Sequence, residues 1–146
     1  MVDASVSAPP EHHPNFHFEP LWLQKRTTPG HSVSLHDWVD SRSPTGDLLL
    51  QMDIEGGEYS VLLSTDLSVI MRFRIIVLEL HNLTSSASEA GNLLIGTLLD
   101  RLLISHEIVC SSQNKACRTL RLNGWTVPNC FEVTLVGNSV SQLSTS

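Results

Sequence analysis

Two apolar runs with a glycine pair between them constrain the fold of this chain more than any other feature. The first run is Leu48–Met52, the second covers residues 75–80, and Gly56 and Gly57 follow the first. Short, nearly continuous apolar runs are typical of strands buried on both faces of a parallel sheet. The chain between them is long enough for the helical crossover that a parallel pair requires. The sequence therefore predicts an α/β fold built on strand, glycine turn, helix and strand.

Charged residues close both runs. Asp53 and Glu55 follow the first run, and Glu79 and His81 stand at the end of the second. In open α/β sheets, ligands bind outside the carboxyl ends of the strands. Glu79 and His81 also alternate with leucines, so their side chains should project from the same face of the strand. We therefore expect a ligand crevice at these four residues.

Four segments, in this order along the chain, resemble motifs of the FkbM-type methyltransferases. VSLHDWV at residues 33–39 resembles the S-L-D-D element, and LQMDIEGGEYSVLL at 50–63 resembles the K-x-D-x-E-G-x-E-x-x-V-L signature. RIIVLELH at 74–81 resembles the I-x-x-E-x-H strand, and GWTVPNCFEVTLV at 124–136 resembles the closing hairpin. The resemblance covers residues 32–137.

This resemblance implies a class I, Rossmann-like methyltransferase that uses S-adenosylmethionine and methylates hydroxyl groups of small molecules or sugars. In that family, a glycine-rich turn after the first strand and an acidic residue after the second bind the cofactor, and both precede the matched region. The residues before Ser32 contain no G-x-G and are too few for three βα units. We therefore expect the C-terminal half of the domain: a partial sheet of parallel strands with a C-terminal antiparallel hairpin, without the cofactor-binding half.

Asp53, Glu79 and His81 are the predicted catalytic residues. His81 is the better candidate for a general base that deprotonates an acceptor hydroxyl, because the ordinary pKa of histidine lies near physiological pH. A structural histidine is the alternative. Asp53 can lie beside the reactive end of the cofactor, orient a substrate hydroxyl, hold a divalent cation with Glu79, or cap the glycine turn. Glu79 can orient the imidazole or a substrate hydroxyl, or bind the cation.

Four further residues, Glu55, Gly56, Glu58 and Asn82, are predicted to lie near a substrate or the cofactor. Glu55 can act with Asp53 or be an exposed loop carboxylate. Gly56 permits a tight turn and close backbone approach. Glu58 is most simply a helix-start residue whose charge complements the helix dipole, with a role in the site as the alternative. Asn82 can supply a hydrogen bond in the crevice or form a turn.

The charge balance is acidic, with a net charge of -6 and no block of lysine or arginine. The sequence therefore argues against binding to nucleic-acid phosphates or anionic lipid. No apolar run reaches the roughly 18 to 20 residues needed to span a bilayer, and the N-terminus lacks a hydrophobic signal core. We expect a cytoplasmic chain with neither a nucleic-acid nor a membrane partner.

The three cysteines, Cys110, Cys117 and Cys130, lack the spacing of a zinc site. A disulfide between Cys110 and Cys117 can close a short loop, but reduced thiols are favoured in a chain without a secretion signal. The crevice carboxylates and His81 also lack a recognisable metal spacing. The sequence therefore predicts no metal centre.

Breakers and periodicity divide the chain into three regions. Residues 1–30 hold five of the seven prolines and are predicted to form a flexible N-terminal arm. Residues 31–137 form the methyltransferase-like domain, and residues 138–146 a frayed tail. Periodic leucines predict a helix over residues 89–105. Further apolar stretches predict strands at residues 107–110, 119–122 and 131–136.

These features support two functions from different classes. The first is methyl transfer to a small-molecule hydroxyl acceptor by a truncated domain that can be inactive alone. The second is a noncatalytic α/β interaction module, in which the exposed sheet edge pairs with a second copy or with a complementing chain. A metal-dependent hydrolase that uses Asp53, Glu55, Glu79 and His81 is a weaker third hypothesis.

Overall fold

The computed structural model describes residues 1–9, 11–42, 45–122 and 124–138. The helices are α1 (Leu35–Arg42), α2 (Glu58–Ser64), α3 (Leu67–Ile70), α4 (Glu89–Leu103) and a 3-10 helix (Leu83–Ala87). The strands are β1 (Trp22–Leu23), β2 (Ser32–Val33), β3 (Leu48–Met52), β4 (Phe73–Leu80), β5 (His106–Gln113), β6 (Thr119–Leu122), β7 (Trp125–Pro128) and β8 (Phe131–Gly137).

The central sheet has four strands in the order β3-β4-β8-β5. β3 and β4 are parallel, and Leu50 lies beside Ile76. β8 runs antiparallel to β4 on one side and to β5 on the other. This arrangement confirms the predicted α/β fold with a mixed sheet that contains parallel strands, whereas the predicted closing hairpin is not formed because β7 pairs with β6 in another sheet. Because β3 and β4 are parallel, their carboxyl ends lie at the same edge of the sheet.

The burial of this sheet differs from the prediction. Leu50 and Met52 are buried, but Leu49 between them is 62% exposed, and its register partner Ile75 is 37% exposed. The prediction that both apolar runs are buried on both faces is therefore wrong. The buried apolar side chains of the described helices form one cluster with Leu50 and Met52. The sheet face that carries Leu49 and Ile75 is therefore only partly covered by the described chain.

The core lies between the covered sheet face and the helices. Its fully buried side chains include Ile76 and Leu135 from the sheet, Leu62 from α2, and Leu98 and Leu102 from α4. Burying each of them stabilises the fold by roughly 1.5–3 kcal/mol relative to leaving it exposed. Since α2 packs in this core directly after the loop that leaves β3, its first turn is held beside the ends of β3 and β4.

The helix starts agree with the sequence patterns. Ser34 Oγ accepts a hydrogen bond of 3.1 Å from the N–H of Asp37 at the start of α1. Ser88 Oγ accepts one of 3.0 Å from the N–H of Gly91 at the start of α4. Both side chains pair an N–H that a helix end leaves without an internal partner. The predicted helix over residues 89–105 is confirmed, and it ends at Leu103.

Several elements were not predicted from the sequence, including β1, β2 and α3. The 3-10 helix Leu83–Ala87 is another, and it follows a left-handed Asn82. Trp125–Pro128 forms β7, which pairs with β6 in a separate two-stranded sheet. Pro128 reads as a turn residue in the sequence, but at the end of a strand it is tolerated.

The cysteine prediction is also wrong. Cys117 and Cys130 form a disulfide, and Cys110 is free and exposed. Cys110 lies in the edge strand β5. Cys117 lies in the loop between β5 and β6, and Cys130 directly precedes β8. Structural disulfides persist in oxidising compartments, so a cytoplasmic location gains no support from this bond and stays a prediction.

The N-terminal region contacts itself and the domain. Val2 forms an isolated bridge with Glu19, and β1 pairs in parallel with β2. The flexibility predicted for residues 1–30 stays a prediction. The predicted tail at residues 138–146 lies outside the described residues except for Asn138. None of the helices in the described ranges combines the length and apolar composition needed to cross a bilayer.

Candidate functional site

The predicted catalytic residues converge at the carboxyl ends of β3 and β4. Asp53 follows the last residue of β3, Glu79 lies in β4, and His81 follows the last residue of β4. The nearest carboxylate oxygens of Glu55, Asp53 and Glu79 lie 3.4, 3.7 and 3.7 Å from Nε2 of His81. These four residues therefore lie together, and their catalytic roles stay predictions.

Glu58 contacts the second ring nitrogen of this imidazole. It is fully buried in the first turn of α2, and its Oε1 lies 3.1 Å from Nδ1 of His81. The same oxygen accepts hydrogen bonds from the N–H groups of Ile54 at 2.9 Å and Gly56 at 3.3 Å. Since this oxygen accepts from two backbone donors, a proton on Nδ1 of His81 would add a third hydrogen bond to it. Nε2 lies beside the carboxylates of Asp53, Glu55 and Glu79. We call His81 and the four acidic residues around it the His81 cluster: Asp53, Glu55, Glu58, Glu79 and His81.

Charge and burial act in opposite directions on the titrating groups of this cluster. Burial lowers the pKa of His81, but the charge and hydrogen bond of Glu58, with the charges of Glu55 and Asp53, outweigh it and raise that pKa above its usual value. Burial raises the pKa of Asp53 despite the opposing charge of His81. Burial, and the neighbouring charge of Glu58, raise the pKa of Tyr59 to about 12. The crevice is thus strongly negative and partly shielded from water.

An unusual backbone path brings the carboxylates together. Glu55 and Asn82 have positive φ angles of 56° and 59°, and Gly56 has a φ of 101°. A Cβ on Gly56 would stand 2.6 Å from Nδ2 of Asn82, so this position needs glycine for both conformation and space. Asn82 begins the 3-10 helix and accepts a hydrogen bond from the N–H of Ser85, as its predicted turn role requires.

Residues 9–102, more than half of the 146-residue chain, match a family profile described as the methyltransferase FkbM domain. The chain belongs to this family. The predicted family is confirmed, although the profile begins inside the predicted arm and ends before the hairpin segment at residues 124–136. No curated protein and no solved structure matches the chain.

The His81 cluster of this FkbM domain lies within one β3–α2–β4 unit. Its first residue is Asp53 and its last is His81, and all five fall inside the matched range. The crossover returns the chain to the edge of the sheet it left, which is why residues far apart in sequence meet there. Of the seven predicted site residues, the remaining two, Gly56 and Asn82, shape the turn that supports the cluster.

Three supporting residues of the FkbM domain were not predicted. Tyr59 Oη donates a hydrogen bond of 2.7 Å to the backbone oxygen of His81. Asn114 Nδ2 donates one of 2.8 Å to Oε1 of Glu79, and Sγ of the disulfide-bonded Cys117 lies 3.7 Å from the same oxygen. Tyr59 directly follows the predicted site residue Glu58 in the sequence, and this position could have indicated that it lies near the site. Asn114 and Cys117 reach the site through strand pairing, which leaves no local signal.

A cavity of about 710 Å³ opens beside the cluster of this FkbM domain. Asp53 and Glu55 line one end of it, and residues 2–5 and 21–25 of the N-terminal region line the rest together with Ile54 and neighbouring residues. Small-molecule sites typically enclose roughly 300–1,000 Å³. The cavity therefore gives a small molecule room to reach the two carboxylates.

Proposed function

We propose that this chain carries the acceptor end of a methyltransferase, with S-adenosylmethionine as methyl donor and a hydroxyl of a small molecule or sugar as acceptor. Membership of the FkbM family supports methyl transfer. The observation that carries the proposal is the convergence of Asp53, Glu79 and His81 at the carboxyl ends of two neighbouring parallel strands. Such strand ends are where open α/β sheets bind their ligands. The order β3-β4-β8-β5 also supports a class I sheet.

The residues of the chain would act by holding the acceptor. Asp53 and Glu55 line the cavity, so their carboxylate oxygens can accept hydrogen bonds from a hydroxyl that enters it. Glu79 is fixed by the hydrogen bond from Asn114, and His81 by its contact with Glu58. Holding one reactant in a fixed position removes a large part of the entropic barrier to a two-substrate reaction. Positioning is therefore the contribution that we assign to the His81 cluster.

The glycine turn at Gly56 does not form a cradle for S-adenosylmethionine. A glycine turn after a strand lets a cofactor approach the backbone closely, but the Asn82 side chain already fills the space at Gly56. A group added there would lie 2.6 Å from Nδ2 of Asn82. We therefore assign acceptor binding to the residues of the His81 cluster.

The test is transfer of a labelled methyl group from S-adenosylmethionine to a panel of sugars and small hydroxyl compounds. Asp53→Asn should lower kcat/KM roughly tenfold or more, because a hydrogen bond to a charged group is worth about 1.5–3 kcal/mol. Asp100→Asn changes an exposed carboxylate of α4 and serves as the matched control that keeps its activity. Failure of the wild-type chain to label any acceptor would contradict the proposal.

An interaction module is the second candidate function, and one observation favours it. In the described part of the chain, β3 pairs with β4 alone, so it lies at the edge of the sheet. Edge strands offer unpaired backbone groups to another chain. We propose that a second copy, or a complementing chain, pairs there. Sedimentation of the wild-type chain and of Leu49→Lys tests this, since a charge on the exposed Leu49 should weaken the association; a wild-type chain that stays monomeric would refute self-pairing.

A further inference from the structure

We propose that the His81 cluster binds one divalent transition-metal ion, held by Nε2 of His81 and by carboxylate oxygens of Asp53 and Glu55. These three ligand atoms all lie within 4.8 Å of one another. The proposal departs from the sequence-based prediction of no metal centre. Spacing along the chain does not reveal these ligands, because they come from two different strand ends.

The distances within the cluster suit a shared ion better than direct contact. Oε2 of Glu55 and Oδ1 of Asp53 lie 3.4 and 3.7 Å from Nε2 of His81, beyond the usual hydrogen-bond range of about 2.7–3.2 Å. Metal bonds of about 2.1 Å, at angles between 90° and 120°, place neighbouring ligand atoms roughly 3.0–3.6 Å apart. The two distances to Nε2 therefore lie within about a tenth of an ångström of the range that a shared ion requires.

The imidazole supplies an independent sign of a ligand. Its side chain is only 9% exposed, and no hydrogen bond to Nε2 forms within the described residues. A ring nitrogen without a hydrogen bond, in a side chain that is largely buried, is open to a ligand. Nε2 lies 3.7 and 3.4 Å from carboxylate oxygens of Asp53 and Glu55, and the ion would sit between these three atoms.

The second nitrogen of His81 completes a common arrangement of metal sites. Nδ1 contacts the buried carboxylate of Glu58, which is itself held by the backbone of Ile54 and Gly56. A histidine that binds a metal nearly always donates its other N–H to such a carboxylate, which fixes the ring and raises its basicity. Glu58 therefore supports the ligand and does not touch the ion.

Charge favours a cation in the same place. Four carboxylates, from Asp53, Glu55, Glu58 and Glu79, lie within 3.7 Å of one imidazole, whose single positive charge cannot balance them. A mixed set of one imidazole nitrogen and two carboxylate oxygens suits Mn²⁺, Fe²⁺ or Zn²⁺ better than Mg²⁺, which prefers oxygen ligands alone. The site should therefore select transition-metal ions.

Three protein ligands leave coordination positions open, as in catalytic metal sites. The next step rests on the proposed function: the acceptor hydroxyl oxygen occupies an open position on the cavity side, where the ion holds and polarises it. In that arrangement Nε2 of His81 is a ligand and not the general base predicted from the sequence, since one lone pair cannot serve both purposes.

The test is calorimetric titration of the full chain with Mn²⁺, in a buffer free of chelators and thiols. We expect one bound ion per chain and a rise in melting temperature when the ion is added. Glu55→Gln removes a ligand, so it should weaken binding by at least the roughly 10- to 100-fold that is found when only the support of a ligand is removed. Glu55 is 88% exposed, so this variant should keep its fold even if substitution of the buried His81 does not.

Two control variants test whether other carboxylates or imidazoles of the chain bind the ion. Glu107→Gln removes an exposed carboxylate of β5 and should leave the affinity unchanged. The double variant His12→Gln, His13→Gln removes two exposed imidazoles of the N-terminal region and should also bind Mn²⁺ like the wild type. Mg²⁺ should bind more weakly than Mn²⁺ to the wild-type chain.

Failure of the folded wild-type chain to bind Mn²⁺ or Zn²⁺ would overturn the site, and so would equal affinity in Glu55→Gln and Glu107→Gln. The titration contains neither methyl donor nor acceptor, so it succeeds or fails apart from methyl transfer. Transfer that persists in a chelator, without metal binding, would refute the metal site and leave the proposed function standing. Metal binding by a chain that methylates nothing would support the site and contradict the proposed function.

Discussion

Glu58 gathers three contacts on one buried oxygen. Its Oε1 accepts from the backbone N–H groups of Ile54 and Gly56 and contacts Nδ1 of His81. A charged group is tolerated in a protein interior only where it is paired and hydrogen-bonded. This one carboxylate therefore shapes the turn after β3 and also orients the imidazole that follows β4.

Glu58→Ala should lower the free energy of unfolding by about 3–5 kcal/mol, because it leaves two backbone donors and a buried imidazole without their partner. Urea denaturation measures the change. Glu107→Ala, on the exposed surface of β5, is the control and should change the free energy by less than about 0.5 kcal/mol. A similar effect of the two substitutions would mean that the contacts of Glu58 contribute little.

Tyr59 is the single tyrosine of the chain, so its titration can be followed by absorbance. Burial beside Glu58 raises its pKa to about 12, and we expect the folded chain to ionise near that pH and the denatured chain near 10. The folded state then holds the proton more tightly, so stability falls as pH rises from 10 to 12, by on the order of 2 kcal/mol. Equal midpoints in native buffer and in denaturant would contradict this expectation.

At the scale of elements, α4 and the 3-10 helix before it approach each other very closely. A Cβ on Gly91 would lie 2.0 Å from the backbone oxygen of Ser85, whereas one on Gly96, further along α4, would meet nothing within 4 Å. Close packing therefore requires glycine at position 91 but not at position 96. Gly91 permits the packing of two helices, and Gly96 only weakens the helix that contains it.

Gly91→Ala and Gly96→Ala should change stability in opposite directions. The first forces backbone to move and should cost about 2 kcal/mol. The second restricts the unfolded chain and should add about 0.5–1 kcal/mol. Thermal unfolding of both variants, followed by circular dichroism, measures the difference. Two losses of similar size would show that Gly96 has a packing role as well.

The patterns of β3, β4 and α4, and the meeting of the β3 and β4 ends, were predicted correctly, whereas most other contacts between elements were not. The apolar runs predicted β3 and β4, and the leucine period predicted α4, because each pattern depends on a single face of a single element. The contact between Glu58 and His81 escaped prediction because it joins a helix start to a distant strand end. The exposure of Leu49 was not predicted, because the sequence of a strand does not indicate whether other elements cover both of its faces.

At the scale of the whole molecule, the disulfide ties the β5–β6 loop to the start of β8. Cys117 and Cys130 are 13 residues apart, and Cys117 also contacts the Glu79 carboxylate of the site. The pairing was not predictable from cysteine spacing, since the paths of β5 and β8 decide which two sulfurs meet. The bond therefore restrains one wall of the crevice as well as the C-terminal strands.

The double variant Cys117→Ala, Cys130→Ala should be less stable than the wild type by roughly 3 kcal/mol, as expected when a loop of this length loses its closure in the unfolded chain. Urea denaturation without thiols measures the change. Cys110→Ser alters the free, exposed cysteine and should leave stability nearly unchanged. Equal stability of the wild type and the double variant would mean that the loop is held by its other contacts.

The confinement of the His81 cluster to one β3–α2–β4 unit has a consequence for how such a site is inherited. A single uninterrupted stretch, from Asp53 to His81, encodes every member of the cluster. One recombination event that moves this stretch carries all five side chains into a new protein, which must then supply a partner for Glu79 in place of Asn114. The N-terminal residues that line the cavity are encoded apart from it, so they can diverge and change which molecules reach the carboxylates.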